Sequence, residues 1–196
     1  MLPSRLRSAP ALAALAMTVA TAQATTVERL SLPELVGRAQ SIFVGTCTAV
    51  AEQTIDGKPY QLYCFRVAET LKGAPAALAR CHLPGGRLAD SRAGARATYG
   101  GMPRFAVGEE AVVFLSRPDA TGYPWPMGLG QGCFRILRDP ESGISRVRQL
   151  LDGLHLVDPN AAKTAGAAGQ PSAALDDFLQ AVRTLAGSPT PAPRAR

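Results

Sequence analysis

The sequence predicts an all-β fold: a small closed or partly open antiparallel barrel, with a short N-terminal helix and a C-terminal amphipathic helix. Three observations support this fold. Short runs rich in β-branched and aromatic residues recur along the chain, Gly, Pro and Asp-Gly turns separate them, and a helical spacing of apolar residues frames them at each end. Six or seven such strands favour a sheet that closes on itself, because closure removes exposed strand edges.

The first 24 residues are expected to be a cleaved signal peptide that takes no part in the fold. Arg5 and Arg7 precede an apolar run, and the segment ends in the small-residue pattern Ala22-Gln23-Ala24. The apolar stretch 9–20 is shorter than the roughly 20 residues that a membrane span requires. We therefore expect a protein that is periplasmic or extracellular after cleavage, with no membrane span in the mature chain.

The mature region is predicted to begin with a helix and a hairpin. Ser31 and Glu34 have the spacing of a capping box, with a proline in the first turn. Two strands are predicted within 41–50 and 60–71, joined across the turn Asp56-Gly57. Together they are expected to form an antiparallel hairpin.

The rest of the chain is predicted to hold further short strands and a final helix. Residues 78–84 form a third strand, and 85–101 form a long loop rich in Gly, Ala and Arg with a short strand near 96–99. Residues 111–116 read as a strand buried on both faces, followed by a hairpin. The predicted segments are a signal peptide at 1–24, a barrel domain at 25–158, an Ala/Gly linker at 159–172, a helix at 173–187 and a disordered tail at 188–196.

The four cysteines are expected to be oxidised, because an even number of cysteines is typical of exported chains. Cys47 and Cys64 would face each other if the hairpin turn were centred one residue before Asp56-Gly57, or if a bulge shifted the register of the hairpin. Cys81 and Cys133 would then form the second disulfide. A disulfide between Cys47 and Cys64 would stabilise the fold by about 3 kcal/mol, given the length of the loop that it closes. The alternative is that all four are buried thiols that pack as small apolar side chains.

No metal or cofactor is expected. The sequence has no Cys-x-x-Cys pair, and its two histidines, His82 and His155, lie far apart. It also lacks the common motifs of serine hydrolases, zinc proteases and phosphate-binding loops.

Two pairs of adjacent residues could carry catalysis. Glu109 and Glu110 could divide acid and base roles, and Cys81 and His82 could form a thiol nucleophile with its base. Adjacent residues of a strand point to opposite faces, however, so neither pair is expected to meet over one substrate. The simpler interpretation is that the glutamates solvate the entry to the buried strand.

The charge distribution indicates a binding surface instead. The complete chain carries a formal net charge of +6, and removal of Arg5 and Arg7 leaves +4. The loop around 80–104 alone has a balance of +4, from one aspartate and five arginines: Arg80, Arg87, Arg92, Arg96 and Arg104. Such a loop attracts an acidic protein face, an anionic glycan or a lipid head group, and export makes nucleic acid the least suitable partner. The alternative is a solvated arginine-rich loop.

Trp125 is a second candidate for partner binding. It lies between Pro124 and Pro126, which stiffen the turn that holds it. An exposed indole in such a turn is a typical anchor for a protein partner.

Three segments in order, "SIFVGTCTAV", "CFRVAETLKG" and "PRFAVGEEAVVFL", followed by "GLGQGCFRI", resemble a group of uncharacterised exported bacterial proteins. More remotely, they are similar to the netrin-like module of the tissue inhibitors of metalloproteinases. That resemblance implies an OB-type barrel with a strand that ends in Lys72-Gly73. Those inhibitors chelate the protease zinc through an amino-terminal Cys, whereas this mature chain would begin at Thr25, so that mode of inhibition does not transfer.

The sequence therefore predicts an exported, non-enzymatic binding module that engages a protein partner through its basic loop, with a protease among the candidate partners. Two alternatives stay open. One is an exported hydrolase or thiol enzyme that uses Cys81 and His82 or Glu109 and Glu110, and the other is a structural component of the cell envelope.

Overall fold

A computed structural model describes residues 25–88, 94–120, 122–157 and 172–187. These residues form a predominantly β structure with one large antiparallel sheet and two helices, which confirms the coarse fold that the sequence predicts. The predicted signal peptide, most of the linker, the tail and Arg92 lie outside the described residues.

The helices are α1 (Leu32–Arg38) and α2 (Leu175–Gly187), and a short 3-10 helix spans Leu129–Gly132. The strands are β1 (Thr25–Glu28), β2 (Ser41–Ile55), β3 (Lys58–Lys72), β4 (Leu78–Pro84), β5 (Gly86–Arg87), β6 (Arg96–Ala97), β7 (Glu110–Leu115), β8 (Cys133–Arg138), β9 (Ser145–Gln149), β10 (Leu154–Val157) and β11 (Ser172–Ala174).

Seven strands form the main sheet, in the order β11-β9-β8-β7-β2-β3-β4, and all neighbours are antiparallel. Two small additions flank it: β1 pairs with β10 in parallel, and β5 pairs with β6. Among the described strands β4 and β11 are the edges of the main sheet, so hydrogen bonding does not close it into a barrel.

The two faces of the sheet bury separate cores. The inner cluster includes Phe43, Phe65, Cys81, Val113 and Cys133, which come from β2, β3, β4, β7 and β8. Because β4 and β8 are the first and last of five consecutive strands and still share one core, the sheet must curl around that core. The outer cluster packs α1 and α2 against the opposite face, through Val36 and Val182 among others.

The hairpin of β2 and β3 turns at Asp56-Gly57, where both residues have positive φ, at 48° and 73°. The register therefore sets Ala49 opposite Cys64, and a bulge near Thr48 sets Cys47 opposite Phe65. The expectation that Cys47 faces Cys64 is wrong, since the turn is centred on Asp56-Gly57 and not one residue earlier.

The first helix is fixed at both ends by side chains. The predicted capping box is present, with the Glu34 carboxylate accepting from the Ser31 amide at 2.9 Å and the Ser31 hydroxyl accepting from the Glu34 amide at 3.4 Å. At the other end the Lys72 ammonium donates to the carbonyl of Val36 at 2.6 Å and to that of Gly37 at 3.3 Å. Lys72 thus ties the end of β3 to the last turn of α1.

Replacing Lys72 with methionine is expected to lower the free energy of unfolding by about 1–2 kcal/mol. The substitution keeps the aliphatic stem and removes both hydrogen bonds to the last turn, where a cation also complements the helix dipole. Urea unfolding followed by circular dichroism measures the loss, with Lys58→Met at the exposed hairpin as the control. Equal stability of the two variants would contradict the capping role.

Candidate functional site

The segment 94–105 separates two cavities that share Tyr99, Met102 and Arg104 in their walls. The smaller cavity, of about 200 Å³, lies toward Tyr63 and the Pro84–Gly86 turn. The larger cavity, of about 720 Å³, is lined by polar residues that include Arg135 and by the apolar Leu150. We call the two cavities and the segment between them the 94–105 groove.

Aromatic packing makes the floor of this groove rigid. Phe105 packs edge to face against Tyr63 and Phe65, with ring centroids 5.4 and 5.1 Å apart. The Tyr63 hydroxyl donates to the Gln61 carboxamide at 2.9 Å. Burial raises the pKa of Tyr63 to about 12, and nearby Arg104 opposes that rise. Tyr63 is therefore a neutral hydrogen-bonding group beneath the cationic Arg104.

Two of the predicted partner-binding arginines are paired within the protein. Arg87 on β5 and Arg96 on β6 lie directly opposite each other, and both form ion pairs with Glu52 of β2, the first at 3.9 Å. All three side chains are exposed, so each pair contributes little to stability. The carboxylate of Glu52, which comes from a distant part of the sequence, offsets part of the positive charge of the basic loop.

Arg104 is held differently. Its carbonyl accepts a hydrogen bond from the Arg135 guanidinium at 3.2 Å, and Arg135 also bonds the Glu109 carboxylate at 3.1 Å. Glu109 in turn accepts from the Ala106 amide at 3.0 Å, which fixes the turn that follows. The side chain of Arg104 is exposed and has no ion-pair partner among the described residues. The backbone is thus anchored while the guanidinium is presented to solvent.

Tyr99 is the aromatic neighbour of Arg104 in the groove. Its side chain is 47% exposed, and it lines both cavities. The hydroxyl of Thr25 in β1 donates to the carbonyl of Gly100 at 3.0 Å and so fixes the backbone beside Tyr99. An exposed aromatic ring beside a free guanidinium is a combination enriched at protein interfaces.

Trp125 is not part of this groove. Its ring is half-buried against the inner cluster, and its indole nitrogen donates to Asp119 at 2.6 Å. It does not line either cavity beside Arg104. The sequence predicts an exposed indole, whereas the ring of Trp125 is half-buried and bonded to Asp119; its role in partner binding stays a prediction.

The two candidate catalytic pairs are split by the fold. Glu109 is engaged by Arg135 and by the Ala106 amide, while Glu110 is exposed at the start of β7. Cys81 points into the inner cluster, where burial raises its thiol pKa to about 12. His82, the next residue on the strand, stacks on Tyr123 with centroids 3.8 Å apart. Neither pair of side chains converges on a common point.

His82 is an unusual buried residue. Its side chain is almost fully buried, and neither ring nitrogen has a hydrogen-bond partner among the described residues. Burial lowers its pKa, and the charge of Asp119 opposes that shift. The ring is therefore neutral in the folded protein near neutral pH.

Stability is expected to depend on pH through His82. Its folded pKa lies below the value of about 6.5 in the unfolded chain, so its contribution is complete above that pH and is lost as the pH falls below it. Wild type and His82→Phe are to be compared by thermal unfolding at pH 7.5 and pH 5. We expect wild type to lose stability relative to His82→Phe at the lower pH. An identical pH dependence of the two proteins would contradict this role of His82.

Among the described residues, no group of three His, Cys, Asp or Glu side chains is arranged to hold a metal ion. Neither described helix is long and apolar enough to cross a membrane. Comparison with protein families, with curated proteins and with solved structures finds no match to this chain.

Proposed function

We propose that this protein is an exported, non-enzymatic binding module, and that it engages an acidic face of a protein partner through the 94–105 groove. The observation that carries the proposal is the state of Arg104. It is a cation without an ion-pair partner among the described residues, on an anchored backbone, between two cavities. A carboxylate of a partner supplies the counter-charge that this position lacks.

The shape of the groove supports a ligand larger than an ion. The larger cavity, of about 720 Å³, has the size of a site that accepts several side chains or a short peptide segment. Its walls combine Arg104, the Arg135 that is paired with Glu109 and the acidic Asp152 with backbone groups of 100–101 and the apolar Leu150 and Met102. An acidic peptide segment with apolar neighbours matches this mixture.

The fixed backbone and floor of the 94–105 groove also support it as the binding surface. The backbone around Arg104 is fixed by Arg135 and Glu109, and the floor is fixed by the contacts of Phe105. A partner that binds here does not have to order this part of the loop, so less of the interaction energy is spent on conformational entropy.

The proposed architecture is a partly open, OB-like barrel built from β4, β3, β2, β7 and β8. Its support is the shared inner core of these five strands and the closeness of the two terminal strands to that core. The resemblance to the netrin-like module adds a protease to the candidate partners. The proposed location is the periplasm or the extracellular space, after removal of the basic and apolar leader at 1–24.

Replacing Arg104 with glutamate is expected to weaken binding of an acidic peptide about tenfold or more, because a charge-assisted contact becomes a repulsion. The probe is a fluorescein-labelled 12-residue peptide rich in glutamate and leucine, and the readout is fluorescence anisotropy at low salt. Arg66→Glu is the matched control, because Arg66 is exposed on β3 and lines neither cavity of the groove.

The outcomes separate a specific site from general charge attraction. Binding by wild type, its loss in Arg104→Glu and its retention in Arg66→Glu support the groove. Equal weakening in both variants would mean that net charge alone attracts the peptide. A peptide with glutamine in place of glutamate is expected to bind much more weakly, and equal binding of the two peptides would contradict the need for a carboxylate.

A further inference from the structure

A cavity of about 550 Å³ lies at the ends of β2, β3 and β4 that are remote from the 94–105 groove. Its floor includes Phe43, Val67 and Ala79, one residue from each strand, whereas the groove is lined from the other ends of the same strands. Phe43 belongs to the inner cluster and the other two pack against it, so the cavity opens onto the end of that cluster. We call this space the Leu78 cavity, after the leucine at its rim.

The walls of the Leu78 cavity are mostly apolar. Besides the floor, the apolar lining consists of Ile42, Ala74, Ala76, Leu78, Leu115, Tyr123 and Pro124. The Leu78 side chain is 61% exposed, so a large apolar group stands in water beside an apolar cavity. The volume lies within the range of about 300–1,000 Å³ that is usual for small-molecule sites. An apolar ligand that enters this cavity covers surface that water now contacts.

The wall formed by 122–124 is held in place by the protein itself. The Asp119 amide donates to the Tyr123 carbonyl at 3.2 Å, and the Ser116 amide donates to the Trp125 carbonyl at 2.8 Å. The ring of Tyr123 also stacks on the buried His82, with centroids 3.8 Å apart. The cavity is therefore preformed, and a ligand does not have to order this wall when it binds.

The charge at the rim is positive. Arg80 is the one charged residue among the described residues that line the Leu78 cavity, and it forms no ion pair within the described part of the chain. A second cation lies close by, since the Arg117 guanidinium donates to the carboxamide of Gln40, another lining residue, at 3.3 Å. The nearby Asp119 carboxylate accepts from the Trp125 indole and does not line the cavity. An anionic group at the rim therefore gains a favourable contact with Arg80.

We propose that the Leu78 cavity is a second binding site, which takes one free amphipathic carboxylate with a single unbranched acyl chain. The chain covers the apolar floor, and the carboxylate pairs with the planar guanidinium of Arg80, which matches it in shape. Leu78 is the one large, strongly exposed apolar side chain among the described lining residues, which favours a free ligand over a chain held in a membrane surface. This site is separate from the 94–105 groove and does not depend on the protein partner proposed for it.

The first test is a calorimetric titration of the complete mature chain with dodecanoate, kept below its critical micelle concentration. We expect saturable binding with one molecule per chain. In a series from hexanoate to tetradecanoate, each added methylene should tighten binding by up to about fourfold until the cavity is full. Trp125 is the one tryptophan of the sequence and follows Pro124 in the wall, so its emission should change along the same titration.

The second test changes the rim. Leu78→Glu is expected to weaken dodecanoate binding about tenfold or more, because a charge replaces the apolar contact and repels the ligand. Val107→Glu is the matched control, since Val107 is 65% exposed and lines neither the Leu78 cavity nor the groove. Both side chains are exposed, so both variants are expected to fold, which circular dichroism checks.

The third test separates the head group from the chain. Arg80→Gln should weaken dodecanoate binding about tenfold and should remove the preference of wild type for dodecanoate over 1-dodecanol. Arg104→Gln is the matched control in the 94–105 groove, and it should leave dodecanoate binding within about twofold of wild type.

Several results would overturn the proposal. These are the absence of dodecanoate binding by wild type, equal affinities of Leu78→Glu and Val107→Glu, and an unchanged preference for dodecanoate in Arg80→Gln. Loss of binding in Arg104→Gln with retention in Arg80→Gln would place the ligand in the 94–105 groove instead. Sedimentation with phosphatidylglycerol vesicles in the absence of binding to free dodecanoate would indicate a membrane surface, which also contradicts the proposal. The wild-type titration decides even if a variant does not fold.

Discussion

Replacing Gly130 with alanine is expected to destabilise the fold by about 4 kcal/mol or more. A Cβ atom at this position would lie 1.8 Å from the carbonyl oxygen of Leu150 and 3.0 Å from its carbonyl carbon. The backbone of Gly130 and that of Leu150 are each held by a further hydrogen bond. The Gly130 amide donates to Gly101 at 3.0 Å, and the Leu150 amide donates to Cys133 at 2.9 Å. Neither backbone segment can move away from the other without breaking one of these hydrogen bonds.

The control for this prediction is Gly187→Ala at the end of α2. A Cβ atom there would meet nothing within 4 Å, so the variant is expected to be as stable as wild type or slightly more stable. Soluble yield and urea unfolding of the two variants measure the difference. Cooperative unfolding of Gly130→Ala within about 1 kcal/mol of wild type would show that the contact between Gly130 and Leu150 is not as close as described.

Replacing Gln131 with leucine is expected to cost about 2–4 kcal/mol, because two backbone groups lose their partners. The carboxamide of Gln131 accepts from the Leu30 amide at 2.8 Å and donates to the Glu28 carbonyl at 2.9 Å. The side chain is almost fully buried, so water does not readily replace these bonds. Gln131 therefore holds the segment between β1 and α1 against the short 3-10 helix.

Gln180→Leu on the exposed surface of α2 is the matched control, and it should change stability by no more than about 0.5 kcal/mol. Urea unfolding gives the magnitude for Gln131→Leu. Hydrogen exchange tests the mechanism, because in Gln131→Leu the Leu30 amide should lose its protection while the amides of the main sheet keep theirs. Unchanged protection of that amide would contradict the bridging role of Gln131.

Much of the local structure was predictable from short patterns. The capping box of Ser31 and Glu34, the turn at Asp56-Gly57 and the strand 78–84 all appear where the sequence places them. These features depend on a few neighbouring residues whose preferences agree with one another. Their physical cause is local, so the sequence is sufficient to find them.

The register of the long hairpin was not predictable to the residue. The bulge near Thr48 shifts the pairing by one residue between Ala49 and Cys47. A shift of that size depends on how the sheet packs around the inner cluster and not on the turn alone. Even with this bulge Cys47 lies opposite Phe65 and not Cys64, because the turn at Asp56-Gly57 sets the register of the hairpin.

The candidate site was only partly predictable. Clustered arginines mark the loop that contains Arg96 and Arg104, but their neighbours in space come from elsewhere in the chain. Glu52 neutralises part of the loop, and Arg135 anchors its backbone. Both are more than 30 residues from Arg104, and only the pairing of strands brings them near. The partial burial of Trp125 was not predictable, because no sequence pattern indicates its hydrogen bond to Asp119.

The central claim is that the 94–105 groove is the surface that binds an acidic partner. The most direct measurement is a nitrogen-15 NMR titration of the uniformly labelled protein with the glutamate-rich peptide. We predict saturable shifts of amides in 84–88 and 94–105, with few changes near Arg66 or Trp125, and their loss in Arg104→Glu. Shifts that are spread over the exposed arginines, or that persist unchanged in Arg104→Glu, would contradict the claim.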